Sequence, residues 1–161
     1  MSKQKLILDD VFEEVNYILF AIHCSIADYR LAYLLNKHLG INLNRKMEDL
    51  DFDHISASYS IFEWQDMNHH TTWNLINNKS RNETDKIMDD ASLFGMNEKT
   101  FKTHNLILEH RTVDYFLKIS TDGLFYSEKA VLNQIQEIPQ VVTTYGIDAT
   151  QLKSRNNLIF N

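Results

Sequence analysis

A chain of 161 residues is the size at which one hydrophobic core closes, and 43% hydrophobic with 24% charged residues is globular composition, which excludes a disordered or collagen-like chain. The formal charge of -6 speaks against a protein built to neutralise phosphates, so direct nucleic-acid binding is not expected. Cys24 is the only cysteine, which excludes an internal disulfide framework and a thiolate zinc cluster and fits a reducing cytoplasm.

The opening residues, MSKQKLILDDVFEEV, lack the apolar core and cleavage site of a signal peptide. No run approaches about 18 apolar residues, so a cytoplasmic chain without a membrane span is expected. With four Gly and one Pro, turns must come mostly from Asn and Asp, as at Asn77-Asn78, Asp122-Gly123 and Asn156-Asn157. The same scarcity of Gly removes the basis for a phosphate-cradling loop, and no cofactor is expected.

Val15 to His23 (VNYILFAIH) is β-branched and aromatic on both faces, which predicts a central strand. Ser25 stands three residues before Asp28, a capping-box-like spacing that predicts a helix from Ile26 to Leu39, with Gly40 as its left-handed stop. Ala27, Leu31, Leu34, Leu35 and His38 form its inner stripe, and Arg30 and Lys37 lie opposite. Ile55 to Ile61 alternates apolar and polar residues and predicts a half-exposed strand. Trp64 and Trp73 bracket the polar turn Asp66 to His70 and predict a hairpin.

From Lys79 to Thr100 the chain is polar without a clear period, and reads as either a partly ordered excursion or a mobile loop. Leu106–Leu108 and Val113–Ile119 are strand candidates joined by a tight turn. Ser127 caps a second helix with Val131, Ile135 and Ile138 on one stripe, and Pro139 stops it. A last strand is expected over Gln140–Ile147, with a polar tail at 149–161. This order predicts a single α+β domain over 1–161, with a mainly antiparallel sheet and two main helices.

The segment Ile107-Leu108-Glu109-His110-Arg111-Thr112-Val113-Asp114-Tyr115 resembles the signature of the IPExxxVDY family. Ile107, Glu109, Val113, Asp114 and Tyr115 match in type and spacing, while Leu108 stands where the family name has Pro. Asp28 to Leu39 also resembles these proteins, as does the chain length. The resemblance implies a small bacterial protein of Bacteroidota type and brings no catalytic residues with it.

Glu109 and Asp114 could act as general acid and base beside Tyr115 in a small enzyme, provided burial separated their pKa values. The plainer reading gives Glu109 to turn amides and Asp114 to solvent. His69-His70 could suggest a metal, but adjacent side chains in a strand point to opposite faces, and none is expected. A partner-binding face built from Tyr29, Arg30, Tyr33, Lys37, Trp64 and Trp73 uses residue types favoured at interface centres. The expectation is a non-catalytic adaptor or regulator that binds another protein, with the small enzyme and an accessory role in RNA processing as alternatives.

Overall fold

Hydrophobic residues on both sides of one strand demand two covering layers, and the structure supplies them. In the computed structural model residues 15–52, 57–85, 99–122 and 127–160 are described. The elements run β1 (Tyr17–His23), α1 (Asp28–Leu39), β2 (Asn44–Arg45), β3 (Leu50–Phe52), β4 (Ala57–Tyr59), β5 (Ile61–Asp66), β6 (Thr71–Asn77), β7 (Lys79–Asp85), β8 (Lys99–Asn105), β9 (Tyr115–Thr121), α2 (Glu128–Gln136) and β10 (Thr143–Ile147). Six strands form one antiparallel sheet in the order β10-β1-β9-β6-β5-β2, and β3–β4 and β7–β8 form separate two-stranded ribbons. The fold is α+β, as the order of patterns predicts.

The period of two sorts the core. Phe20 and Ile22 of β1 join Leu117 and Ile119 of β9 and Trp73 and Leu75 of β6 on the face covered by both helices. Leu19 and Ala21 join Ile76 and Phe116 on the opposite face. That second layer is closed by Tyr59 of β4, by Ile107 and Val113, and by Ala149, Leu152 and Leu158 near the C-terminus.

Helix α1 buries Leu31, Ala32 and Leu35; of the expected stripe Ala27 is exposed, because it precedes the first turn, and Leu34 and His38 are half-buried at its margin. The helix begins without the expected Ser25 cap, because Ala27 occupies the capping position and Ser25 lies two residues too early. Its end follows the sequence: Gly40 has φ 66° and donates its N–H to the Asn36 carbonyl at 3.0 Å. The Asn36 amide then holds Leu43 at both backbone groups, accepting its N–H at 2.7 Å and donating to its carbonyl at 3.1 Å. At α2, Ser127 does cap, accepting the Ala130 N–H at 3.3 Å, and the helix ends before Pro139.

The Trp hairpin forms in the expected register, with Trp64 opposite Trp73. Other expectations change. The alternating run breaks at Ser60, so that β4 and β5 are distinct strands; Ile55 and Ser56 lie outside the described residues, as does Gly123. Lys79–Asp85 and Lys99–Asn105 pair from Lys79↔Asn105 to Asp85↔Lys99, and 86–98 lies outside the described residues. Leu106–Ile119 is not a hairpin: Leu108–His110 is a 3-10 turn, and β8 and β9 belong to different sheets. The tail is not merely polar, because its 3-10 turns bury Ala149 and Leu158. No helix among the described residues is long and apolar enough to cross a membrane.

A Cβ added at Gly40 meets open space, so Gly40→Ala isolates the cost of the left-handed backbone. The expected loss is about 1 kcal/mol, read from the urea midpoint at unchanged slope.

Candidate functional site

The chain must turn out of β6 into β7 and later return from β8 into β9, and all four ends meet at Asn78. This side chain is 0% exposed. A buried primary amide needs partners for two donors and an acceptor, and it has them. Its Nδ2 donates to the carbonyls of His110 and Val113, both at 2.8 Å, and its Oδ1 accepts the Ile107 N–H at 2.9 Å. Its backbone N–H donates to the Asp114 carbonyl at 2.9 Å, and its carbonyl accepts the Leu106 N–H at 2.8 Å.

The family-like signature is thus the wall of a socket for one asparagine. Ile107 and Val113 are buried and frame it. Leu108 is the first residue of the 3-10 turn, where a proline would lose no intrahelical bond and its fixed φ would fit. Glu109 is exposed, and its Oε1 accepts the N–H and the hydroxyl of Ser154, each at 3.1 Å. The carboxylate ties the C-terminal segment to the turn.

Asp114 faces the other way. Its Oδ2 accepts the Cys24 N–H at 2.9 Å, and its Oδ1 takes the Lys79 ammonium at 2.9 Å. Tyr115 is buried and donates its hydroxyl to the Ile26 carbonyl at 2.7 Å, on the way into α1. Burial, reinforced by Cys24, Asp28 and Asp114, pushes its phenol well above the ordinary value. Glu109 thus holds the C-terminal segment at Ser154, while Asp114 and Tyr115 hold the backbone between β1 and α1 at Cys24 and Ile26.

Cys24 is buried beside this group. Burial pushes its thiol up to about 11, with Asp114 adding to the rise and a backbone hydrogen bond at Ile26 opposing it. A protonated, enclosed thiol is a poor nucleophile.

Of the expected partner face, four residues stand together on the outer side of α1. Tyr29 and Tyr33 are 66% and 64% exposed one turn apart, with Arg30 and Lys37 exposed alongside. Trp73 does not belong to that face, since it is 2% exposed in the core and donates its indole N–H to Thr71 Oγ1 at 3.2 Å. Trp64 is half-buried, packed against the same core with its ring 6.2 Å from that of Trp73. Strand alternation sends both rings inward because they are cross-strand partners.

His69 and His70 lie in the turn before β6 and not in a strand: His69 Nδ1 lies 2.6 Å from Asp66 Oδ2, and His70 takes a positive φ of 51°. No group of three or more metal-ligating side chains converges among the described residues. A cleft of about 390 Å³ is lined by Tyr17, Lys118, Ser120, Arg155 and Phe160. Within it Lys118 donates to the Leu158 carbonyl at 2.6 Å, with its ammonium 4.7 Å from the ring centres of both Tyr17 and Phe160. Burial pushes its pKa below the ordinary lysine value. The lysine fastens the C-terminal segment to β9.

Sequence reasoning missed Asn78, placing it in a turn. Its only signal was position, between a strand and a polar stretch, and burial of an amide leaves no period. Comparisons with family models, with curated proteins and with solved structures gave no match.

Removing the Asn78 amide strands two carbonyls and one N–H at about 1–3 kcal/mol each, partly relieved by relaxation. Asn78→Ala is expected to cost about 3–5 kcal/mol in urea unfolding, whereas removal of the exposed Glu109 carboxylate by Glu109→Gln should cost under about 1 kcal/mol. Cys24 also gives a pH dependence. Its folded thiol titrates near 11 against 9.0 ordinarily, so the unfolded chain releases its proton first. Stability from this group is complete below pH 9 and is lost as pH rises towards 11, at up to about 1.4 kcal/mol per pH unit. Cys24→Ala should flatten that part of the stability profile.

Proposed function

We propose that this chain is an IPExxxVDY-type protein that serves as a non-catalytic cytoplasmic adaptor or regulator, binding another protein through the outer face of α1. The observation that carries this reading is the exposed pair Tyr29 and Tyr33, one helical turn apart and flanked by Arg30 and Lys37. The inner face of the same helix is fixed by Leu31, Ala32 and Leu35, so the aromatic pair is presented on a rigid support. Tyr and Arg are enriched where truncation costs most binding energy, because they bring large contact area with few rotors and several donors.

The signature residues support the same reading by default of an alternative. Glu109, Asp114 and Tyr115 have their polar atoms engaged by Ser154, by Cys24 with Lys79, and by Ile26. An acid and a base set apart from each other in this way have no common substrate position.

Affinity capture from native cell extract is expected to recover a stoichiometric partner. The double variant Tyr29→Ala/Tyr33→Ala should weaken capture at least about tenfold, the effect of roughly 1.4 kcal/mol or more at an interface centre. Its unfolding midpoint should stay near that of the parent, because both rings are exposed. Equal capture by parent and variant, or no reproducible partner, overturns the proposal.

A further inference from the structure

Strand β10 forms one edge of the six-stranded sheet, with β1 on its inner side. The direction of its backbone groups follows from its neighbours. The carbonyls of Ala21 and His23 point towards β10, where they accept the Thr144 hydroxyl and the Val142 N–H at 2.8 Å each. The Ile22 carbonyl points the other way and accepts the Asp114 N–H. With the register Ala21↔Tyr145 and His23↔Thr143, the backbone of Thr143, Tyr145 and Ile147 faces β1, and that of Thr144 and Gly146 faces outward.

One side chain occupies this outer edge. Gln136, the last residue of α2, accepts the Thr144 N–H on its Oε1 at 3.3 Å and donates its Nε2 to the Val142 carbonyl at 3.4 Å. A primary amide presenting one acceptor and one donor to a strand edge repeats the hydrogen-bonding pattern of a peptide group. Both bonds are long and exposed, and Gly146 beyond them is exposed among the described residues. Edges of this kind are usually blunted by Lys, Pro or a bulge, and TTYGI has none of these.

We propose that the outer edge of β10 is a strand-addition site for an extended segment of a partner protein, whose backbone displaces the Gln136 amide from Thr144 and Val142 and continues to Gly146. The segment has a neutral, partly apolar centre and basic ends. Its centre meets a strand without charge beside Val142 and Tyr145, which are 75% and 38% exposed. Its ends meet carboxylates, for Glu128 lines the cleft along Gly146–Thr150 together with Asp148, and exposed Glu137 follows Gln136. Main-chain bonds supply affinity in such recognition, and alternate side chains supply selectivity. This surface rests on the protein-binding reading only in expecting a polypeptide ligand, and it does not use α1.

The test is an amide-resolved NMR titration of the full chain with the synthetic peptide KKTVTVTKK, against the same peptide fully N-methylated. Expected are shifts at Thr144 and Gly146, at least tenfold slower exchange of the Gly146 amide, a submillimolar Kd that weakens with salt, and no response to the methylated form. Gln136→Ala should bind several-fold tighter because the internal competitor is gone. Gly146→Pro removes an outward N–H and no bond to β1, and should abolish binding while the unfolding midpoint shows the fold retained; Gly146→Ala, whose Cβ has open space, should keep binding. No shifts up to millimolar peptide, or shifts confined to α1, overturn the proposal. So does a concentration-dependent dimer in which the Gly146 amide is protected without peptide, since the edge would then belong to a second copy. The Tyr29→Ala/Tyr33→Ala variant should titrate like the parent, which separates failure here from failure of the helix face.

Discussion

The amide of Asn78 is the constraint on which this fold turns. One two-stranded ribbon, β7–β8, leaves and re-enters the main sheet at one point, and the backbone groups there cannot all pair with strands. One side chain with two donors and one acceptor closes the account, bonding to Ile107, His110 and Val113 while its own backbone bridges Leu106 and Asp114. Buried polar groups are tolerated only when satisfied, and this one is satisfied completely. The junction places Asp114 beside Cys24 and sends Tyr115 towards Ile26, so it also sets where α1 begins.

A short signature can therefore specify geometry without specifying chemistry. Ile107 and Val113 supply apolar walls, Glu109 reaches the C-terminal segment, and Asp114 and Tyr115 each hold backbone on the helix side. Residues with the look of an acid, a base and a phenol are dispersed to three structural tasks. The surfaces proposed for recognition are elsewhere: an aromatic helix face and a sheet edge bonded by one glutamine.

Elements whose side chains face a core were readable in the sequence, since burial imposes a period. β1, the inner stripe of α1 with its Gly40 stop, the Trp64–Trp73 hairpin and the Ser127 cap all follow from local residues. What was hidden had no such imprint. The β7–β8 ribbon is polar but for Phe101, and its pairing is a matter of backbone ladders. The Leu106–Ile119 region differs from the hairpin that two apolar runs joined by four residues suggest, because the N–H groups of Leu106 and Ile107 bond to Asn78 and Leu108 enters a 3-10 turn, so the first run is no strand. Trp73 illustrates the remaining difficulty: an aromatic suited to an interface is equally suited to a core, and only its register with Trp64 and Leu75 decides.

The strand order also governs how this chain must assemble. β1 is made early, yet its two neighbours are β9 and β10, with Phe20 opposite Leu117 and Leu19 opposite Ile147. Roughly a hundred residues must be synthesised before the first of those partners exists, at a translation pace of about 5–20 residues per second. For several seconds YILFAIH, uncharged but for its terminal histidine and apolar on both faces, has no sheet to join. Such long-range pairing makes folding slow and leaves a β-prone segment open to wrong partners. A strand second from the edge of the finished sheet, but buried on both faces, is thus the most vulnerable part of the nascent chain, and its protection during synthesis falls to helper proteins or to speed.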